Sequence, residues 1–196
     1  METTKGSRTI RAFCAIPLDA PLRKQIAQLQ QHLAEKLPGV RWSRLENLHL
    51  TLRFFGDIEA ESLEKAAKLM LFVNALGGPF KLPLQRLGAF PSTTRPRVLW
   101  LGFAGCDAMQ QLYARCSDLL HQAGIPKEAR PFTPHLTLGR AKGRLPDVTE
   151  LLRHEECDIQ GVLPIERLVF YRSRLLPAGA EHTPLYTVEL DRSTTN

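Results

Sequence analysis

His49-Leu50-Thr51-Leu52 and His135-Leu136-Thr137-Leu138 are the same tetrapeptide written twice in one chain. Leucine is common, so a repeated four-letter word carries modest weight alone. Anchored on a chain with six histidines, the coincidence is on the order of one in a hundred. Both copies sit in apolar, strand-like surroundings, and each is followed by an arginine, Arg53 or Arg140. In a strand, residues i and i+2 share a face, about 6.5–7 Å apart. His49 and Thr51 then point one way, and Leu50 and Leu52 point the other, into a core. His135 and Thr137 stand in the same relation to Leu136 and Leu138. Each copy offers an imidazole, which can give or take a proton near neutral pH, beside a hydroxyl that can hydrogen-bond a phosphate oxygen. Two such pairs facing each other supply an acid and a base, with room between them for one tetrahedral anion.

The arginines differ in spacing. Arg53 lies at i+4 from His49 and shares its face in a regular strand. Arg140 lies at i+5 from His135 and is turned away in a regular strand. Gly139 precedes it, however, and a strand glycine often marks a bulge. One extra residue there restores Arg140 to the His135 face, where its planar fork suits a phosphate. A straight strand through this stretch would remove that expectation.

Outward from the repeat, residues 9–16 are short, β-branched and aromatic and read as a buried strand. Asp19 is placed to cap a helix with Pro21 in its first turn, and Leu22, Ile26, Leu29, Leu33 and Leu37 form its apolar stripe. Pro38-Gly39 ends it. A second helix is expected over 59–75 and a third over 107–123. Strands are expected over 48–55, 84–90, 98–103, 134–140, 157–163, 165–175 and 185–190. Several strands follow one another directly, which gives an α+β chain with mostly antiparallel sheets. No stretch reads as a linker between independent domains, so residues 1–196 are expected to form one domain with 1–8 flexible.

The chain has 196 residues, 43% of them hydrophobic and 23% charged, which is ordinary globular usage and excludes wholesale disorder. A net charge of +6 and a pI near 9.4 favour an anionic partner. No apolar run approaches the roughly 18 residues of a membrane span. The first eight residues lack the apolar stretch of a signal peptide, so a cytoplasmic protein with no membrane partner is expected. The four cysteines are scattered, without a CxxC pair, and read as free thiols. Cys14, Cys116 and Cys157 fall in apolar patterns and are expected in the core.

The flanks of the repeat carry a resemblance. RAFCAIPLD at 11–19, RWSRLENLHLTLRFFGDI at 41–58, RVLWLG at 97–102 and FTPHLTLGRAK at 132–142 are similar to the bacterial and archaeal RNA 2′,3′-cyclic phosphodiesterases. That family, long called 2′-5′ RNA ligase, lies within the two-histidine phosphoesterase superfamily. The similarity spans about residues 9–190. It implies a bilobal α+β fold: two pseudo-twofold-related antiparallel sheets with outer helices and a central cleft. It implies hydrolysis of an RNA 2′,3′-cyclic phosphate end to a 2′-phosphomonoester. It further implies His49 as proton donor, His135 as proton acceptor, and Thr51, Thr137 and Arg140 as the phosphate-holding set. Arg53 departs from the family pattern, where a smaller or apolar residue is usual, and is included in the substrate-binding set on strand geometry.

Other readings bound this one. Zinc wants a third or fourth protein ligand, and neither motif offers one on its face; Asp57 is assigned to a Gly56-Asp57 turn. No metal and no cofactor is therefore expected. His32, His121, His154 and His182 read as surface residues. Phe13, Phe55 and Trp100 read as packing, the alternative being an aromatic near the cleft that stacks a base. Arg95, Arg97, Arg172 and Arg174 are either a solvated basic surface or a guide for RNA. The expected partner is RNA with a cyclic phosphate end, or a small cyclic nucleotide, met by a monomer. The alternatives are an RNA-end or nucleotide binding module without turnover, and 2′-5′ ligation, the same chemistry run backwards.

Overall fold

The computed structural model describes residues 9–76, 78–155, 160–177 and 179–190. The expectations for residues 1–8 and for Cys157 lie outside them. Nine strands are found among the described residues: β1 (Thr9–Pro17), β2 (Val40–Trp42), β3 (His49–Glu59), β4 (Phe80–Ser92), β5 (Arg95–Phe103), β6 (His135–Ala141), β7 (Val162–Ile165), β8 (Arg167–Leu176) and β9 (Gly179–Glu189). The helices are α1 (Ala20–Lys36), α2 (Ala60–Met70), α3 (Asp107–Gln122) and α4 (Thr149–Glu155), and a 3-10 turn (Leu45–Asn47) leads into β3.

The strands run in the order β7-β4-β5-β6-β3-β1-β8-β9, with β2 beside β6. The pairings recorded between them are antiparallel. The order splits at its middle into two halves, β9-β8-β1-β3 and β6-β5-β4-β7. They meet at one register pair, Leu50 with Leu136. These are equivalent residues of the two tetrapeptides, so a local twofold passes between them.

Both halves carry the same irregularity. Thr51 and Arg53 oppose the adjacent residues Ala15 and Cys14, so Leu52 is an extra residue in β3. Thr137 and Gly139 oppose the adjacent residues Trp100 and Leu99, so Leu138 is an extra residue in β6. The expected bulge before Arg140 is present, and it has a counterpart in the first copy. Gly139 has a second reason to be glycine. A Cβ there would stand 2.6 Å from Val40 Cγ1 and 3.1 Å from the Arg41 carbonyl oxygen, so β2 could not pair so closely.

The helices cover the core side. Asp19 Oδ1 accepts from the Leu22 N–H at 3.1 Å, the cap that starts α1. Although α1 follows β1, it crosses to the other half, where the Gln30 side chain donates to the carbonyls of Leu138 (2.8 Å) and Ser43 (3.0 Å). In exchange α3, which follows β5, packs with α2 behind the first half, where Cys116 and Met70 approach Cys14 and Leu52. Leu50, Leu52, Leu136 and Leu138 are at most 3% exposed. Burying each contributes roughly 1.5–3 kcal/mol, and together they fix which way the histidines face. Cys14 and Cys116 are buried as expected. Strand β2 and helix α4 are not among the expected elements, β4 and β9 start earlier than expected, and β3 and α2 differ as well. Gly56-Asp57 is not a turn: β3 runs through it, Gly56 taking a positive φ of 69° after a further register shift opposite Ala12 and Phe13. The second helix ends at Met70, and residues 71–76 continue as 3-10 turns.

Candidate active site

Each histidine is the first residue of its strand and is locked by the same bond. His49 Nδ1 lies 2.8 Å from the Asn47 carbonyl oxygen, and His135 Nδ1 lies 2.7 Å from that of Thr133. A carbonyl only accepts, so Nδ1 carries the proton in both rings and Nε2 is left to exchange one. An antiparallel register centred on Leu50 and Leu136 sets His49 across from Thr137 and Thr51 across from His135. A cleft of about 760 Å³ opens there, lined by His49, Thr51, Thr137 and Arg140 among others. The bulge at Leu138 puts Arg140 on this face, in register with Val98, while Gly139 takes the core side opposite Leu99.

The rings are held differently. His49 stacks on Phe13, with centroids 4.6 Å apart, and meets the edge of His182 at 5.6 Å. His135 meets Phe90 edge-on at 5.1 Å and Trp100 at 6.4 Å. Trp100 itself is 7% exposed and lies over Gly88, where a Cβ would come within 2.2 Å of its ring, so the packing reading of this residue holds. Phe13 is likewise buried, and Phe55 stacks on Phe170 at 5.8 Å. Burial pushes the His49 imidazole down to about 4. His182 and, less strongly, His135 push the same way, against the bond to Asn47.

Arg53 is not part of this face. The bulge at Leu52 turns it to the core side, where it donates to the Pro126 carbonyl and approaches the Glu128 carboxylate at 3.4 Å. Phe54 takes the position that Arg140 holds in the second copy. It is 45% exposed, lines the cleft, and carries the Arg11 guanidinium 4.7 Å above its ring. The regular-strand expectation for Arg53 therefore fails for the reason that brings Arg140 in. His182 is the opposite correction. Read from sequence as a surface residue, it lines the cleft, because β9 pairs with β8 through Ser173 and β8 pairs with β1 through Tyr171 and Phe13. Such pairings leave no local pattern in the sequence. Arg11, Arg41 and Arg44, which lie in the stretches that carry the resemblance but have no role in the expected site, also line the cleft. Arg95 and Arg97 instead line a separate basic hollow with Lys142 and Arg144. His32 bonds Glu155 at 2.8 Å on the helical side. Among the described residues no group of three or more His, Cys, Asp or Glu side chains could hold a metal ion.

Two sheet halves that meet at equivalent leucines, each carrying a carbonyl-locked histidine and a threonine that lines the cleft between them, define a phosphoesterase of the paired-histidine class. The chain belongs to the LigT-like phosphoesterase family, whose model matches residues 16–100 and 104–181. It is 30% identical over 184 residues to the RNA 2′,3′-cyclic phosphodiesterase of Methanocaldococcus jannaschii, covering 91% of this chain and 98% of that one. To the enzyme of the same name from Thermotoga maritima it is 31% identical over 184 residues, covering 93% and 96%. Among solved structures it is similar to TT0787 of Thermus thermophilus, with a TM-score of 0.79 and 26% identity, covering 94% of this chain and 100% of that one. It is also similar to E. coli LigT complexed with 3′-AMP, with a TM-score of 0.70 and 29% identity, covering 93% and 99%.

Proposed function

We propose that the protein hydrolyses RNA 2′,3′-cyclic phosphate ends by paired-histidine acid–base catalysis, leaving a 2′-phosphomonoester. The observation that carries this reading is the Leu50–Leu136 pair between equivalent residues of the two tetrapeptides, with His49, Thr51, Thr137 and Arg140 lining one cleft and His135 near enough to His49 to disfavour its charge. Relatives named for this activity, similar over nearly the whole chain, support it.

The chemistry follows from the positions. His135 Nε2 takes a proton from water as its oxygen bonds to phosphorus. His49 Nε2 gives a proton to O3′ as the P–O3′ bond breaks. Thr51 and Thr137 donate to the non-bridging oxygens, and Arg140 compensates their charge. In the free protein His49 is neutral near pH 7, because burial and two neighbouring histidines disfavour its charge. A bound phosphate anion reverses that balance and favours the imidazolium that the leaving oxygen needs.

The same reading takes the chain as one bilobal domain acting as a monomer in the cytoplasm. No helix among the described residues is long and apolar enough to cross a membrane, and Cys14, Cys106 and Cys116 are free thiols. The test is incubation of the pure protein with a short RNA ending in a 2′,3′-cyclic phosphate, followed by mass spectrometry and nuclease mapping. A 2′-phosphate product is expected. A 3′-phosphate product, or no turnover, overturns the reading.

A further inference from the structure

Arg41 and Arg140 are direct antiparallel partners on β2 and β6, and both line the cleft. Direct partners share a face, and like charges placed so repel each other. Nothing lining the cleft offsets them: among its described residues there are four arginines (Arg11, Arg41, Arg44 and Arg140) and no aspartate or glutamate. A pair of guanidiniums with no carboxylate between them is a site completed by an anion from outside.

The reacting phosphate does not account for both. Strand β5 occupies one edge of β6 along its length, so β3 and β2 share the other edge, β3 at Leu136 and β2 from Gly139 to Ala141. Arg41 and Arg140 therefore both stand farther from the twofold than Thr137, by about 7–10 Å of strand, but Arg140 shares β6 with Thr137 while Arg41 lies on the neighbouring strand β2. That displacement has the scale of one step along a nucleic-acid backbone. The cleft, at about 760 Å³, has space for more than a phosphate and its ribose. Trp42, Leu175 and Leu176 add apolar surface to its lining, the two leucines 71% and 48% exposed.

We propose that Arg41 forms a second phosphate subsite beside the one that Arg140 serves, and that it holds the phosphodiester immediately upstream of the cyclic end. The protein is then built for the ends of RNA strands and not for free cyclic mononucleotides. The inference rests on the phosphodiesterase reading and adds a chain-length requirement to it. It also explains why the residue across from Arg140 is a second cation, an arrangement that folding alone disfavours.

The experiment compares adenosine 2′,3′-cyclic phosphate with the dinucleotide ApA carrying a 2′,3′-cyclic phosphate, on the wild type, Arg41→Gln and Arg41→Lys. Wild type is expected to favour the dinucleotide in kcat/KM. Arg41→Gln is expected to lower kcat/KM for the dinucleotide about 10- to 100-fold, at least ten-fold more than for the mononucleotide, and Arg41→Lys is expected to recover part of the loss. Replacing the upstream phosphodiester by an uncharged methylphosphonate is expected to abolish the difference between wild type and Arg41→Gln. Equal losses on both substrates, or no loss on either, overturn the subsite. If wild type turns over neither substrate, the phosphodiesterase reading fails and the subsite is judged by calorimetry alone. It then requires ApA bearing a 2′-phosphate to bind more tightly than 2′-AMP, and Arg41→Gln to erase the difference. Equal binding overturns it.

Discussion

Leu50 and Leu136, the second residues of the two tetrapeptides, are each other's antiparallel partners, so the local twofold of the cleft passes between two buried leucines. Everything polar in the site is placed relative to that pair. The histidine of each copy stands across from the threonine of the other, and a bulge at the fourth residue of each copy decides which of the next side chains faces the cleft.

The bulges make the two arginines separable. Arg140→Ala is expected to lower kcat/KM on cyclic-phosphate RNA by about 10²-fold or more, on the order of 3 kcal/mol of charge-assisted hydrogen bonding. Arg53→Ala is expected to keep activity within about three-fold and to cost at most about 1 kcal/mol of stability, since its partners are the Pro126 carbonyl and a partly exposed Glu128. Thr51→Ala and Thr137→Ala fall between. Steady-state kinetics and thermal melting of the four variants decide it. A loss at Arg53 equal to that at Arg140 contradicts the assignment.

Close approach of β2 is open to test at one atom. Gly139→Ala places a Cβ 2.6 Å from Val40 Cγ1 and 3.1 Å from the Arg41 carbonyl. The Val40 methyl sits on a short branched side chain and the Arg41 carbonyl is backbone, so neither gives way freely and a loss of about 1–3 kcal/mol is expected. Activity is expected to fall with it, because Arg41 and Arg140 lose their register. Denaturant melts and kcat/KM on the same samples measure both. An alanine that leaves stability untouched shows that β2 does not pair as described.

The burial of His49 has a sign in both stability and rate. Its folded value of about 4 lies below the ordinary 6.5, so the unfolded chain binds the proton more readily. The contribution is therefore complete above pH 6.5 and is lost as pH falls from there toward 4, by on the order of 3 kcal/mol in all. His182, also lowered by burial, acts in the same direction. Melting curves between about pH 7 and pH 4.5 are expected to lose more stability in wild type than in His49→Phe, which keeps the stack on Phe13. In kinetics, the acid limb of kcat/KM belongs to the free protein and is expected near pH 4. That of kcat is expected at higher pH, where the bound phosphate holds the imidazolium. The limbs report coupled histidines and not one group. Coincident limbs near 6.5 would contradict the buried setting of His49.

Much of this was legible in the letters because the repeat is a local pattern with a strand period. His49, Thr51, His135 and Thr137 follow from alternation, and Gly139 announced the bulge that delivers Arg140. Arg53 was misplaced because Leu52 is as ordinary a residue in a bulge as in a regular strand; no glycine marks the first copy. His182 and Arg41 were invisible for another reason. They reach the cleft through pairings of β9 with β8 and of β2 with β6, and such long-range register is written in no window of the sequence. Helix α4 and strand β2 are too short, at seven and three residues, to show a period.

His49 and His135 are assigned as the acid and the base of one reaction. Each alanine variant is expected to lose about 10²–10⁴ in rate, and the double variant much less than the product of the two. The assignment is put to the sharpest trial by giving the variants a substrate whose leaving O3′ is replaced by sulfur, which departs without a proton. The sulfur substrate is expected to restore His49→Ala to near the wild-type rate and to leave His135→Ala as impaired as before. Rescue of His135→Ala instead, or of neither variant, would contradict the roles given to the two histidines.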